Sequence, residues 1–312
     1  MSSANRVDLR YVVEATYNTT PATPALKLIR MTSESLNANL ATAQSQEIRA
    51  DRNDQDVLLV AERGGGNIDF ELSHGSFDDL IEAAMCSTWV VDGVDANKFT
   101  IVNGVEERSF TFSKRFNDIG QYLVMTGGKI NTMGISVGPG RITTGSFGVM
   151  HRQTTRSGAQ IAGATTPAGT TTRPYTGAVD VDIIQVDAAP LTAGLTNYSL
   201  NINNNRREQS AIGLLGASNI VAGKFEATGD LEMYFENGDM YDRFIANSSF
   251  AFAISMVDDA GNIIRIDIPR AKLETGEVVA QGNNTDVMFR GTYRALYHAA
   301  TGGSVKLTKD AT

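Results

Sequence analysis

Short runs of alternating apolar and polar residues occupy most of this chain, and several of them occur twice. In Asn67-Ile68-Asp69-Phe70-Glu71-Leu72 the apolar side chains fall on one face and the polar ones on the other, the period of a half-buried strand. Asp230-Leu231-Glu232-Met233-Tyr234-Phe235 alternates the same way. After each strand a glycine ends the run and the period changes. Phe77, Leu80, Ile81 and Ala84 mark one face of a short helix, and Met240, Tyr241, Phe244 and Ile245 mark its counterpart. Ser76 and Asp239 stand where an N-cap would accept a hydrogen bond from the first free amides.

The repeat extends beyond these segments. Ser35-Leu36-Asn37-Ala38-Asn39 matches Ser199-Leu200-Asn201-Ile202-Asn203 at a spacing of 164, and Ile48 falls on Ile212 at the same spacing. At a spacing of 163, Gly66, Ile68, Phe70, Leu72, Gly75, Phe77, Asp79, Ile81 and Ala83 fall on Gly229, Leu231, Met233, Phe235, Gly238, Met240, Asp242, Phe244 and Ala246. Ser109-Phe110-Thr111-Phe112 matches Ser249-Phe250-Ala251-Phe252, and Gly145-Ser146-Phe147 matches Gly291-Thr292-Tyr293. Block order is the same in both halves, and the drifting spacing is what loop insertions produce, since loop length costs little free energy.

These blocks predict a mainly β chain of two tandem β-sandwich or partial-barrel units, each with one short helix. The first unit is expected over residues 1–153 and the second over 177–312, opening at Val179-Asp180-Val181-Asp182-Ile183-Ile184. Residues 154–176, within a Thr-, Gly- and Ala-rich stretch lacking apolar period, are expected to be a linker or excursion loop. Residues 42–63 are expected to be a second long loop.

Composition narrows the functional classes. With 312 residues, 42% hydrophobic and 20% charged, the chain has the make-up of a folded protein large enough for two domains. A formal charge of -8 is the reverse of the basic stripe that neutralises phosphates in a general nucleic-acid binder. The single cysteine, Cys86, allows no intramolecular disulfide and no cysteine-based zinc site, and its apolar setting predicts a small buried filler. The first residues lack the basic start and apolar run of a secretory signal, and no stretch of about 18 apolar residues predicts a membrane span.

No catalytic pattern emerges. His74, His151 and His298 lie in separate blocks without metal-ligand spacing and are expected in loops or on sheet surfaces. No G-x-S-x-G elbow precedes a serine. Gly64-Gly65-Gly66 is followed by a strand rather than by the Lys-Ser/Thr and helix of a phosphate cradle. Asp51, Asn53, Gln55 and Glu62 fit an EF-hand count, but Asp56 stands where the turn glycine is needed. Thus no enzyme, metal or cofactor is expected. The carboxylates Asp69, Glu71, Asp230 and Glu232 are explained by alternation as one solvated sheet face.

The segment 64–85, with Gly65-Gly66-x-Ile68-x-Phe70-x-Leu72 followed by Ser-His-Gly-Ser-Phe-Asp-Asp-Leu-Ile-Glu-Ala-Ala-Met, resembles the central segment of siphophage major tail tube proteins. Residues 195–207 resemble the opening strand of that family. Their order along the chain rather than any single residue makes the resemblance. It implies β-sandwich units flanked by a helix, whose inner sheets join around a ring, with rings stacked through long loops. It also implies a virion tail location after assembly in the host cytoplasm, with the tape-measure protein in the lumen and terminator and tail-tip proteins at the ends. Double-stranded DNA would pass through without specific binding. Members of the family mostly carry one unit and form hexameric rings; two units per chain make a ring of three chains the expectation here. Asp69, Glu71, Asp230 and Glu232 would then face the lumen. The alternatives are a capsid-decoration or adhesin-like tandem β-sandwich, a contractile-tail tube protein, or a glycan hydrolase, which needs a paired-carboxylate cleft.

Overall fold

A computed structural model describes residues 3–280 and 282–311. The first half provides β1 (Val7–Glu14), β2 (Lys27–Leu28), β3 (Met31–Glu34), β4 (Asn37–Gln44), β5 (Val57–Glu71), helix α1 (Asp78–Met85), β6 (Val90–Val91), β7 (Lys98–Val102), β8 (Ser109–Phe116), β9 (Gln121–Val137), β10 (Thr144–His151) and β11 (Gln153–Ser157). The second half provides β12 (Val181–Val186), β13 (Ala189–Pro190), β14 (Leu195–Asn203), β15 (Arg207–Gln209), β16 (Asn219–Val221), β17 (Glu226–Tyr234), helix α2 (Asp239–Ile245), β18 (Phe250–Val257), β19 (Ile263–Leu273), β20 (Glu277–Val279), β21 (Met288–Ala295) and β22 (Lys306–Asp310).

The ladders repeat. In the first half β1 pairs β8, β8 pairs β9, β9 pairs β10, β10 pairs β5, and β5 pairs β3 and β4, all antiparallel. In the second half β12 pairs β18, β18 pairs β19, β19 and β20 pair β21, β21 pairs β17, and β17 pairs β14. Even the irregularities recur. The β8–β9 register slips between Phe110 and Phe112, and the β18–β19 register slips between Phe250 and Phe252. The β3–β5 register slips between Met31 and Ser33, and the β14–β17 register between Leu195 and Asn197.

The ladders also connect the separate sequence matches. Starting from Phe110 on Phe250, Phe110 opposes Gly128 and Phe250 opposes Ala271. Following partners onward through β9–β10 and β19–β21 places Gly145 on Phe289, and then Phe70 on Met233. This reproduces the spacing of 163 read from sequence. It corrects the last block: Gly145 corresponds to Phe289 and Phe147 to Gly291, two residues from the expected match. A slip of two keeps every side chain on its own face, so a period-two pattern does not detect it.

One glycine pair is explained by packing. A Cβ on Gly66, whose φ is +153°, would lie 2.4 Å from the Ser35 carbonyl oxygen, and one on Gly229 would lie 1.9 Å from that of Ser199. Beside them, the backbone amides of Asn67 and Asp230 donate to the hydroxyls of Ser35 and Ser199, each at 2.9 Å. Neighbouring strands approach this closely only over glycine. Gly66→Ala and Gly229→Ala are each expected to cost about 1–3 kcal/mol of stability, the usual cost of overpacking, and so to lower the denaturant midpoint; chemical denaturation of the single variants checks this.

Helix α1 packs Leu80, Ile81, Ala83, Ala84 and Met85 into the core, where Phe70 lies 4.2 Å from Phe77 and 4.7 Å from Phe147 between ring centroids. In the second half the aromatic load shifts to Tyr198, Phe252 and Tyr293. Helix α2 buries Met240 and leaves Tyr241 and Ile245 exposed, so only part of the expected apolar stripe is used.

Neither helix has its expected side-chain cap. Helix α1 begins at Asp78 with Phe77 in the cap position, and the Ser76 hydroxyl is drawn away to Ser73 and Thr170. Asp239 lies inside the first turn of α2, after Gly238, where its charge favours the helix N-terminus without a capping hydrogen bond. At its other end α1 stops at Cys86 in the left-handed conformation, φ 48°.

The two expected long loops are also revised. Residues 42–63 form most of a hairpin arm, paired from Asn37↔Gly65 out to Gln44↔Val57. The stretch after β11 is pinned to the first half rather than free. Leu26 N donates to Thr165 O, Thr165 N to Pro24 O, and Arg30 to Thr172 O. The ladders cross the expected division of the chain twice: β9 pairs β14, and β7 pairs β22.

Candidate functional site

Three features stand out among the described residues: a junction between the repeats, a polar sheet face that runs across it, and an apolar arm.

At the junction, β14 lies antiparallel to the second part of β9, from Tyr198↔Val137 to Asn203↔Thr132. Tyr198, Leu200 and Ile202 face the core with Val137, Ile135 and Met133, all buried. Behind the ladder sits a buried polar clasp. The fully buried Arg206 side chain donates to Glu107 at 2.9 Å, to Ile130 O at 2.8 Å and to the Cys86 sulfur at 3.4 Å. Lys129 pairs with the other Glu107 oxygen, and Ala222 N donates to Glu107 at 2.7 Å. Burial opposes ionisation of Glu107. The Lys129 hydrogen bond, the Ala222 amide and the charges of Lys129 and Arg206 outweigh it and hold its carboxyl below the usual range. Asn204 donates to Ala84 O, and burial pushes the Cys86 thiol up. Cys86 is thus buried as its sequence context predicts, at the contact between repeats.

Asp69, Glu71, Asp230 and Glu232 share the face opposite the core, because Ile68, Phe70, Leu231 and Met233 occupy the other side of the same strands. Asp69 accepts from Ser33, Asp230 accepts from Ser199 at 2.8 Å, and Glu232 pairs with Arg290 at 2.6 Å. Arg294 pairs with Glu274 and Glu226, so the second half of this face carries both signs. A depression of about 330 Å³ crosses the junction, lined by Asp69, Gly134, Ser146, Ser199 and Asn201.

The arm β4–β5 carries Leu40, Val57, Leu58, Leu59 and Val60, each about half exposed, and Ile48 at its tip is fully exposed. Its base is tied to the second half through Glu62 N to Leu215 O at 2.9 Å and Arg63 to Glu208 at 3.1 Å. There the short β15–β16 hairpin presents Ile212, Leu214 and Leu215, also exposed. The two hairpins occupy equivalent places in the repeat, and Ile48 and Ile212 sit at their respective tips. Among the described residues, the apolar side chains on both faces of this hairpin are left about half uncovered.

The remaining polar groups do not converge. His151, expected at a surface, is buried beneath Gly64, with Nε2 2.9 Å from Thr154 Oγ1 and Nδ1 without a partner; burial lowers its pKa to about 4. His298 bonds Thr301 in a turn. Asp51 pairs with Arg49 near the arm tip, while Glu62 accepts from Thr154 N at the base. Among the described residues no group of three His, Cys, Asp or Glu side chains is placed to hold a metal, and no helix is long and apolar enough to cross a membrane.

What this arrangement offers is surface for assembly. The family model for phage tail tube proteins matches residues 4–298. The chain belongs to the phage tail tube protein family. No curated protein matches it in a sequence comparison. The tail tube chain is therefore a structural component of the virion tail, self-assembling and β-rich. Sequence reasoning missed the clasp and the arm. Arg206 lies in an Asn-Asn-Asn-Arg-Arg run that looks like a solvated turn, and Val57-Leu58-Leu59-Val60 lacks the alternation that marks a strand.

Proposed function

We propose that this tail tube chain forms rings of three, six units per ring, which stack into the tube of a long non-contractile tail. The observation that carries this reading is the repeated ladder order within one chain, joined edge to edge at β9–β14. Two units already share one sheet, so three chains supply the six units of the family's usual ring. Closure of the sheet removes strand edges that otherwise invite uncontrolled pairing. The axial contact is head-to-tail and stays open, so it polymerises.

In this reading Asp69, Glu71, Asp230 and Glu232 line the lumen. Asp69 and Glu71 sit on the less balanced half of the face, whereas the Arg290 and Arg294 pairs temper the other. A surface of carboxylates, serines, asparagines and compensated arginines gives DNA few sites to hold during delivery to the host. Before delivery the lumen holds the tape-measure protein; terminator and tail-tip proteins bound the tube, which assembles in the host cytoplasm. The arm supplies the axial contact.

Native mass spectrometry of rings released from the assembled tube tests the stoichiometry. Particles of three 33.5 kDa chains, together with odd multiples such as nine, are expected. Particles found only as six chains and multiples of six, or a sheath protein surrounding the tube in the virion, contradict the trimeric or the non-contractile part respectively.

A further inference from the structure

The internal β9–β14 junction has a repeat counterpart whose two strands do not meet within one chain. In the first repeat the outer edge of β9 from Thr132 to Val137 is covered by β14. In the second repeat the corresponding segment runs through Thr275 and β20 to Ala280. This follows from the ladders, since Gly134 opposes Ser146 in β10, and Glu277 opposes Arg290 at the corresponding place in β21. Among the described residues β20 pairs only with β21, so its other edge is unpaired. The counterpart of β14 is the stretch Glu34–Asn39 across β3 and β4, which among the described residues forms a ladder with β5 alone. One chain therefore ends in two unpaired edges that are the repeat equivalents of a pair it already makes.

We infer that the β20 edge of one chain pairs antiparallel with the β3–β4 edge of a second copy, in the register set by the internal junction. Transferring that register places Ser35 opposite Val279, Leu36 opposite Val278, Asn37 opposite Glu277 and Asn39 opposite Thr275 of the neighbouring chain. The chemistry of each face agrees. Leu36 and Val278 take the places of buried Leu200 and Ile135, and Val278, which is 37% exposed in the single chain, gains cover. Asn37 and Glu277 take the places of Asn201 and Gly134 on the polar face, and both are exposed in the single chain. The inference rests on the ring reading for its occupant, a second copy, and adds the strands and register.

Cysteine pairs in the full-length protein test it. Residues directly opposite in an antiparallel pair lie about 4.5–5.5 Å apart, within disulfide reach, whereas diagonal neighbours lie about 7–8 Å apart. After assembly and mild oxidation, the variant carrying Asn37→Cys and Glu277→Cys, and that carrying Asn39→Cys and Thr275→Cys, are expected to convert to covalent oligomers on a non-reducing denaturing gel. The Asn39→Cys with Glu277→Cys combination is expected to lose that product, as are all four single variants. Tubes that form normally but cross-link equally or better in the off-register combination overturn the register and leave the ring reading standing. Wild-type protein that never forms rings overturns both.

Discussion

Replacing Leu58 and Val60 together by aspartate is expected to abolish axial growth of the tube while leaving the folded chain intact. Both side chains are more than half exposed on the arm, so neither contributes much to the stability of a single chain. About half of each side chain remains to be covered, so burial against a neighbouring ring contributes about 0.8–1.5 kcal/mol for each and about 1.5–3 kcal/mol for the pair. That is roughly one to two orders of magnitude in the association constant, applied at every contact along the axis and added to the cost of burying two carboxylates. Circular dichroism and the thermal midpoint of the variant should match wild type, and sedimentation should show no rods. Rods of normal length would remove the arm from the axial contact.

The second large effect lies inside the junction. Glu107→Ala leaves Arg206 and Lys129 buried without their shared anion. Breaking a buried ion pair costs about 3–5 kcal/mol, and the lower end, about 3 kcal/mol, applies because Glu107 retains 29% of its side-chain exposure. Glu107→Gln, which keeps the acceptor oxygen, should lose less. The pH dependence has a definite sign. Since the folded carboxyl titrates below its ordinary range, the clasp contributes fully above that range and is lost as pH falls through the lowered value. Denaturation as a function of pH should therefore show a steeper acid loss in wild type than in Glu107→Gln. Equal slopes in the two proteins would show that the clasp does not hold the repeats together. As the clasp opens, Cys86 should become reactive towards thiol reagents at the same denaturant concentration.

The parts of the fold visible in sequence are those where one local rule suffices. Alternation marks β5 and β17, and the spacings of 163 and 164 survive because the Ser35–Gly66 and Ser199–Gly229 contacts admit no Cβ. The last repeat block was displaced because a shift of two residues preserves the face pattern. Ser76 has the chemistry of a cap, yet Ser73 and Thr170 compete for its hydroxyl, a contact 94 residues away in the latter case. Carboxylates on the polar face follow from period two, but the arginines that balance Glu232 and Glu274 belong to other strands and become apparent only in the ladders. Arm and clasp are illegible for opposite reasons. The arm is apolar on both faces and stays about half uncovered in the single chain, and Arg206 is charged yet buried because its partners come from the other repeat.

Cryo-electron microscopy of rods assembled from the purified full-length chain tests the central claim most directly. The account predicts a hollow tube of three chains per ring with pseudo-sixfold symmetry, sheets joined β20 to β3–β4 between chains, and Asp69, Glu71, Asp230 and Glu232 on the lumen wall. Protein that stays monomeric at high concentration, or a tube with these four carboxylates on its outer surface, would contradict it.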